Sequence, residues 1–343
     1  MVSPTEGYVL HTYGPDHYVR HAVASVATLR RHDTDRPVAL FCPPSHQALL
    51  QRHGLDEHFT HVFDLPKEHR SIVGFKHALH RFKPFGRSLF VDADMVWCRD
   101  PDPLWQQFRA FGFTATGQER ADFFFGGPKG IGVVADMLLK RRQRTLKRFG
   151  LSYLPRVQAG MIYAEDDRLT RQVAEQARDY LARADETHFR SRLNEGRTEE
   201  SCEWSLAMAM SHFDLPIFPW MQGQNSPQLD FIEGMTQYDE AFQNVRCQYF
   251  TTPFIYSFRG VMVPWLRKAL IGLATGFPGR NDVMHVTPYA LHFGWLQHKQ
   301  PFHDFADRTW ARLIRQRERS LEPQPAAALT NNHQPEPAID SAA

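Results

Sequence analysis

Leu89-Phe90-Val91-Asp92-Ala93-Asp94 is a short apolar run that stops at two aspartates separated by one residue. Such a run is typical of a buried strand in a parallel sheet, where both faces are covered. Ligands of open α/β sheets bind beyond the carboxyl ends of the strands, and two carboxylates at that position need a cation or a basic partner. The stretch therefore predicts a strand that ends in a metal site. A pair of solvated turn aspartates is the structural alternative.

Strands and helices alternate in the first 94 residues. The apolar patterns predict four strands at 8–11, 38–41, 61–63 and 89–91, and three helices at 17–31, 45–52 and 71–82, of which the last two have Ser45 and Ser71 as N-caps. This alternation is typical of a doubly wound parallel sheet. No G-x-G-x-x-G follows the first strand and no P-loop is present, so we expect a nucleotide to be held by a metal rather than by a glycine-rich loop.

Beyond Asp94 the pattern becomes mixed. It predicts helices at 103–108, 134–148, 169–183 and 202–211, and strands at 111–116, 157–163 and 215–218, the last at a sheet edge. The apolar stretch 250–277 fits core, a subunit contact or a membrane-surface helix, and core is the preferred interpretation. We expect one domain over 1–320, with a nucleotide-binding half (1–116) and an acceptor or closing half (117–320), and a disordered tail at 321–343 rich in Pro, Ala and Asn.

Composition narrows the classes of function. The 343 residues carry a net charge of +2, so nucleic-acid binding would need local basic patches, and the two candidates, 140–148 and 308–319, are more typical of solvated helix faces. Four widely spaced cysteines indicate neither a zinc ribbon nor a disulfide framework. No signal-peptide pattern or membrane-length apolar run is found. We expect a cytoplasmic protein, with peripheral membrane contact left open.

Five stretches between residues 8 and 302 resemble retaining glycosyltransferases of family 8, the glycogenin and lipopolysaccharide galactosyltransferase type. They are the first strand with its Thr12-Tyr13 loop, Lys76 before the acidic strand, the 89–94 stretch (similar to LYLDADxxV), Gln158-Ala159-Gly160-Met161 (similar to N-A/S-G-V), and 292–302 (similar to H-F-x-G-x-x-K-P-W).

The sequence also departs from that family pattern. Gln158 replaces the usual Asn, Gly294 comes one residue early after His292, and Lys299 comes one residue late. The family's Asp-Gln pair is missing, and Glu203 is the nearest candidate for its role. No counterpart to the pattern is found between residues 221 and 278.

The resemblance implies a GT-A fold, which is α/β and Rossmann-like, with a mixed, mostly parallel central sheet flanked by helices and with additional C-terminal elements. It implies hexosyl transfer from a UDP-sugar, with retention of configuration, to an acceptor that the sequence does not identify. It implies a metal site formed by Asp92, Asp94 and His292. This ligand set favours Mn²⁺, although Mg²⁺ also suits the carboxylates. His285 and His298 are competing candidates for the imidazole ligand.

The remaining site residues follow from the same resemblance. Tyr13 would stack on the base, Thr12 would bind the uracil edge, and Lys76 and Lys299 would contact the pyrophosphate. Asp94 and Glu203 are the catalytic candidates, and Glu203 would stabilise the oxocarbenium-like face or bind sugar hydroxyls. The full donor-binding set is Thr12, Tyr13, Lys76, Asp92, Ala93, Asp94, Gln158, Gly160, Gly294 and Lys299.

Two other classes of protein are alternatives to a transferase. A D-x-D phosphatase or phosphotransferase would carry its acids on the first strand, whereas here they follow the fourth, which disfavours it. A catalytically silent protein that binds nucleotide sugars or carbohydrate through the same fold stays open.

Overall fold

The computed structural model describes residues 5–119, 121, 138–189, 191–193, 196, 198–250, 261, 263–275 and 283–321. The tail predicted at 321–343 lies outside these residues except for Leu321, which ends the last helix. Part of the apolar stretch 250–277 and the start of the basic helix predicted at 134–148 also lie outside them.

The first half is a parallel sheet with helical connections. Its elements are β1 Glu6–His11, α1 His17–Leu29, β2 Val38–Cys42, α2 Pro44–His53, β3 His61–Asp64, α3 Ile72–Lys76 and β4 Arg87–Val91. The strands pair in parallel in the order β3-β2-β1-β4. Successive residues point to opposite faces, so Val9 and Phe90 pack in one core cluster while Tyr8 and Leu89 pack in another.

The start of α2 and the end of α3 differ from the sequence expectation. Ser45 is not an N-cap, because α2 already begins at Pro44, and proline suits a first helical position, where no backbone N–H is needed. Ser71 does cap α3 by accepting a hydrogen bond from the Gly74 amide at 2.9 Å. The helix predicted over 71–82 is nevertheless short, since the chain leaves the helical conformation near Ala78, where φ is −138°.

An antiparallel strand makes the central sheet mixed. The elements of this part are β5 Met95–Trp97, α4 Asp102–Phe108, β6 Phe113–Gln118, α5 Arg141–Phe149, β7 Arg156–Ala164, α6 Asp167–Ala182, α7 Glu203–His212 and β8 Phe218–Pro219. Strand β7 runs antiparallel between β4 and β6, and β8 lies at the edge, in the seven-stranded order β3-β2-β1-β4-β7-β6-β8. The prediction of a mixed, mostly parallel α/β sheet is confirmed.

The C-terminal elements form two small sheets and two helices. They are β9 Gln228–Asp230, β10 Thr236–Tyr238, β11 Val245–Phe250, α8 Pro264–Thr275, β12 Val283–Val286, β13 Ala290–His292 and α9 Gln300–Leu321. Strands β10, β11 and β12 form one sheet. Strand β13 lies between β5 and β9 in the other and so joins the end of the chain to the segment that follows β4.

Helix α8 supplies only part of the core expected of its apolar sequence, because Ile271 is buried but most of its other apolar residues are exposed. Trp265 is 72% exposed and Leu273 67%, whereas Arg267 is only 1% exposed. The Arg267 guanidinium donates hydrogen bonds to the carbonyl oxygens of Glu233 and Val261, which anchors the helix through its basic residue. Among the described helices, none combines the length and apolar character needed to cross a bilayer.

Candidate metal centre

Three potential metal ligands meet at the carboxyl end of β4. The Asp92 amide donates a hydrogen bond to the Gly160 carbonyl at 3.0 Å, which fixes the first aspartate against β7. Strand β13 pairs antiparallel with β5, with His292 opposite Met95. This pairing brings an imidazole from the far end of the chain beside Asp94, and the Phe293 amide closes the turn by donating to the Asp94 carbonyl at 2.9 Å.

The cluster has the size of a cation site. His292 Nε2 lies 3.6 Å from Asp92 Oδ2 and 3.5 Å from Asp94 Oδ1. One ligand atom from each of the three residues lies within 4.8 Å of the others. Two carboxylates and one imidazole are a donor set that fits Mn²⁺ and also accepts Mg²⁺. The residues present therefore fit a divalent cation.

A third carboxylate lies beside Nδ1 of His292, the nitrogen that does not face Asp92 and Asp94. Asp230, at the end of β9, lies 2.8 Å from His292 Nδ1 through its Oδ1 atom and accepts a hydrogen bond from Trp295 Nε1 at 2.8 Å through Oδ2. A proton held on Nδ1 leaves Nε2 free to coordinate, which is the usual arrangement behind a metal-bound histidine. Burial alone would lower the pKa of His292, but its hydrogen bonds with Asp230, Asp92 and Asp94 raise it well above the usual value. A cation would therefore compete with a proton for Nε2 of His292.

Two buried lysines neutralise the aspartates. Lys76 Nζ lies 2.7 Å from Asp92 Oδ1 and donates to the Ala159 carbonyl at 2.8 Å. Lys299 Nζ lies 2.5 Å from Asp94 Oδ2. Burial alone would raise the pKa of both carboxyl groups, but these ammonium groups outweigh it: the pKa of Asp92 falls to about 2, and that of Asp94 falls well below its usual value. Both carboxylates are therefore ionised at neutral pH.

Gly160 and Gly294, two glycines of the predicted donor set, lie where a side chain would be crowded by neighbouring atoms. A Cβ on Gly160 would lie 2.7 Å from Gln228 Oε1 and 3.2 Å from His292 Cε1. A Cβ on Gly294 would lie 2.5 Å from the same imidazole carbon. Neither glycine has the left-handed backbone that would otherwise explain its presence. A side chain on Gly294 would first meet the His292 ring, whereas one on Gly160 would first meet Gln228 and Met95.

The remaining residues of the donor set are placed as follows. Gln158 Nε2 lies 3.1 Å from His292 Nδ1 and also donates to Asp230, and Ala93 is half-buried between the two aspartates. The Thr12 hydroxyl is 2.9 Å from His46 Nδ1, so it is engaged within the protein. The Tyr13 hydroxyl donates to Glu199 Oε2 at 2.7 Å, which ties the ring to the segment before α7.

Glu203 is the first residue of α7 and is half-buried. Burial raises its pKa above the usual value and outweighs the lowering effect of the Arg192 and Lys76 charges. His285 and His298 are not part of the three-ligand group found among the described residues. His285 pairs with Gln248 in the separate sheet of β10, β11 and β12.

Sequence reasoning missed Asp230, Glu199 and His11. His11 stacks on Phe75 with ring centroids 4.0 Å apart, and burial, followed by the charge of Lys76, lowers its pKa to about 4. The available signal for His11 was position, because it ends β1 beside β4. Asp230 had no such signal, because it ends a three-residue strand, Gln228–Asp230, that contains a single apolar residue. Glu199 had no such signal, because its contacts are with Tyr13 and the Ile72 amide, which are distant in sequence.

The chain is similar in structure to several glycosyltransferases. The galactosyltransferase LgtC, solved with donor and acceptor sugar analogues, aligns with a TM-score of 0.47 and 11% identity over 94% of this chain and 98% of its own. GlyE from Streptococcus pneumoniae TIGR4 aligns with a TM-score of 0.49 and 12% identity over 92% of this chain and 64% of its own. Core-mannan synthase A from Aspergillus fumigatus, in its Mn/GDP form, aligns with a TM-score of 0.36 and 11% identity over 60% of this chain and 69% of its own. No protein-family model matches the sequence, and no curated protein matches it.

Proposed function

We propose that this protein is a metal-dependent glycosyltransferase that transfers a hexose from a UDP-sugar to an acceptor. The observation that carries the proposal is the joining of Asp92, Asp94 and His292 with two buried lysines at the carboxyl end of β4. Breaking the bond between the sugar and the diphosphate places negative charge on the leaving phosphate, and a site of this kind neutralises such charge.

Each group has a role in this scheme. Asp92, Asp94 and His292 would hold the cation, with Mn²⁺ favoured, and the cation would supply Lewis-acid stabilisation of the diphosphate when bound. Lys76 and Lys299 would contact the phosphate oxygens as compact cations. The departing phosphate would accept the proton of the acceptor hydroxyl, so the transfer with retention that we propose requires no separate strong base. Glu203 would bind sugar hydroxyls or stabilise the positive charge on the ring.

The rest of the donor site would come from the loop after β1 and from the backbone near Gly160. Tyr13 would offer its ring face to the base, while its hydroxyl stays bonded to Glu199. We further propose that residues 1–320 form a single domain and that the protein acts in the cytoplasm. The unit is supported by the pairing of β13 with β5 and of β7 with β4, which link the two halves of the chain.

The test is calorimetric binding of UDP with Mn²⁺ and with EDTA. We expect EDTA to weaken UDP binding, because Asp92 and Asp94 would otherwise present like charge to the phosphates. Asp94→Asn should lose the metal dependence, and the matched control Asp304→Asn, an exposed aspartate of α9, should keep it. Unchanged affinity for UDP in EDTA would overturn the metal role. Metal-dependent UDP binding without hydrolysis of any UDP-hexose would identify a silent binding protein instead.

A further inference from the structure

Basic side chains cover the outward face of α5. The side chains of this helix that lie inward follow the i, i+3, i+4, i+7 spacing of one helix face, and they are Arg142, Thr145, Leu146 and Phe149. The exposed side chains from residue 140 to residue 148 are cationic except for Gln143, and no aspartate or glutamate occurs between residues 138 and 150. We call the five exposed cations the basic face: Lys140, Arg141, Arg144, Lys147 and Arg148.

No acidic residue of α5 offsets the repulsion between these charges. Arg144 lies four residues from both Lys140 and Arg148, and like charges at that spacing destabilise a helix. The first turn of α5 contains no acidic residue, so its cations also face the positive end of the helix dipole. An anion outside the helix would relieve both unfavourable interactions.

The acid that follows α6, Glu186, does not supply this anion. Arg148 donates a hydrogen bond to the Glu186 backbone carbonyl at 3.4 Å, whereas the Glu186 carboxylate accepts hydrogen bonds from the Arg183 guanidinium at 2.7 and 2.8 Å. In the described part of the chain, no carboxylate lies within ion-pair distance of the other three cations, Lys140, Arg144 and Lys147. These three charges are therefore open to an anion from another molecule.

Two exposed leucines directly precede the basic face. Leu138 is 78% exposed and Leu139 is 49% exposed. Cations beside exposed apolar side chains are typical of segments that lie on an anionic bilayer, where the cations attract lipid head groups and the apolar side chains enter the acyl boundary. Nucleic acid fits less well, because its phosphates would leave the leucines exposed. The aromatic ring of α5, Phe149, is half-buried under the Arg183 guanidinium, 4.5 Å from the ring centroid, and so is not placed to stack on a base.

We propose that the basic face of α5, together with Leu138 and Leu139, docks the protein on a membrane surface that contains anionic lipids. The cations contact the head groups, and the two leucines enter the boundary between head groups and acyl chains. The cytoplasmic leaflet carries anionic lipids, so this docking agrees with the proposed site of action. It is independent of the proposed glycosyltransferase activity, because none of these residues belongs to the donor-binding set.

The experiment is co-sedimentation of the full chain with vesicles of phosphatidylcholine alone or of phosphatidylcholine and phosphatidylglycerol in equal amounts. We expect binding to the mixed vesicles only, and we expect added salt to weaken it, because salt screens exposed charges. The combined variant Lys140→Gln, Arg144→Gln and Lys147→Gln should bind at least about 30-fold more weakly, since each basic residue near an anionic surface contributes roughly fivefold. The melting temperature is recorded for every variant.

The matched control removes the same charge from exposed positions of α9 and should keep the vesicle affinity within about twofold. It combines Arg312→Gln, Arg315→Gln and Arg319→Gln. A second variant, Leu138→Ser with Leu139→Ser, keeps every charge and should bind the mixed vesicles at least about 5-fold more weakly, because it removes the apolar contact with the bilayer.

Several results would overturn the docking proposal. One is the absence of binding to the mixed vesicles, and another is an equal loss of affinity in the α9 control, which would show a response to net charge alone. Unchanged vesicle binding by a folded Leu138→Ser, Leu139→Ser protein, with tighter binding to duplex DNA at the same salt concentration, would identify nucleic acid as the partner instead. If the combined lysine and arginine variant does not fold, Lys147→Gln alone decides, with an expected loss of about 5-fold. Wild-type affinity in that single variant would also overturn the proposal.

Discussion

Asp230 shows how much a single unforeseen residue determines at this site. The sequence indicated Asp92 and Asp94 because the signal is local: an apolar strand followed at once by two acids. His292 entered only through the resemblance, since 18 histidines in the chain make any one of them a weak candidate. The sequence did not predict Asp230 because this residue reaches the cluster through the pairing of β9 with β13, two three-residue strands with no recognisable periodicity.

We predict that Asp230→Asn weakens Mn²⁺ affinity by about 10–100-fold, the usual effect of removing a carboxylate behind a ligand histidine. The amide is similar in size but removes the negative charge that makes the His292 ring basic. The measurement is Mn²⁺ binding followed by electron paramagnetic resonance, with the melting temperature recorded in parallel.

Asp304→Asn serves as the control for this prediction, because that carboxylate is exposed on α9 and contacts Gln300 rather than His292. Wild-type Mn²⁺ affinity in a folded Asp230→Asn protein would show that the contact with His292 does not set metal affinity.

At the scale of elements, the sequence predicted the β1-to-β4 half well because each strand and helix there carries its own periodic signal. The helix predicted over 71–82 was too long because its apolar spacing continues beyond the point where the backbone turns. Strand β5 was missed because it is only three residues long and directly follows two acids, which are typical of a turn. In helix α8 apolar composition does not reveal that Arg267 is buried beside Ile271 while Trp265 and Leu273 are exposed.

The connection between α1 and β2 carries an ionic network at the opposite end of the sheet from the metal centre. Asp33 is buried and accepts hydrogen bonds from Tyr8 Oη at 2.7 Å and from the Arg36 guanidinium at 2.9 Å. Arg36 also binds Glu6 at 3.2 Å. Burial alone would raise the pKa of Asp33, but its bonds with Arg36 outweigh this and lower it below the usual value.

The direction of this shift gives a pH prediction. A carboxylate with a depressed folded-state pKa stabilises the protein above its unfolded pKa of about 3.9, and that stability is lost as the pH falls through the folded value. We expect the free energy of unfolding to fall below pH ~4 in the wild type. Asp33→Asn should cost about 1–3 kcal/mol at neutral pH and flatten the acid dependence.

Urea unfolding at a series of pH values measures the effect of Asp33, and Asp35→Asn, which alters an exposed neighbour, is the matched control. An acid dependence as steep in Asp33→Asn as in the wild type would remove Asp33 as the cause.

At the scale of the whole molecule, the four cysteines are free thiols buried in three core clusters: Cys202 in one, Cys42 in another, and Cys98 with Cys247 in the third. Burial raises the pKa of Cys42, Cys202 and Cys247 to about 12 and raises that of Cys98 as well. The thiolate is the reactive form, so buried thiols with raised pKa values are inert.

We therefore predict that Ellman's reagent titrates fewer than one thiol per folded chain at pH 8 and all four in denaturant. The rate of labelling should follow the rate of global unfolding. Rapid reaction of one cysteine in the folded protein, with the melting temperature unchanged, would show that a segment around it opens separately.

The lysine partners of the metal-centre aspartates have a consequence for binding. Lys76 is held by Asp92 and Lys299 by Asp94, so a cation at the proposed donor site weakens the attraction of both carboxylates for their ammonium groups. The released ammonium groups can then face a diphosphate, and a diphosphate that attracts them exposes the carboxylates to a cation. Each ligand thus raises the affinity of the other, by the same factor in both directions. A nucleotide affinity measured at one cation concentration is then a property of the pair of ligands, and half-saturation by nucleotide should shift continuously as the cation is varied.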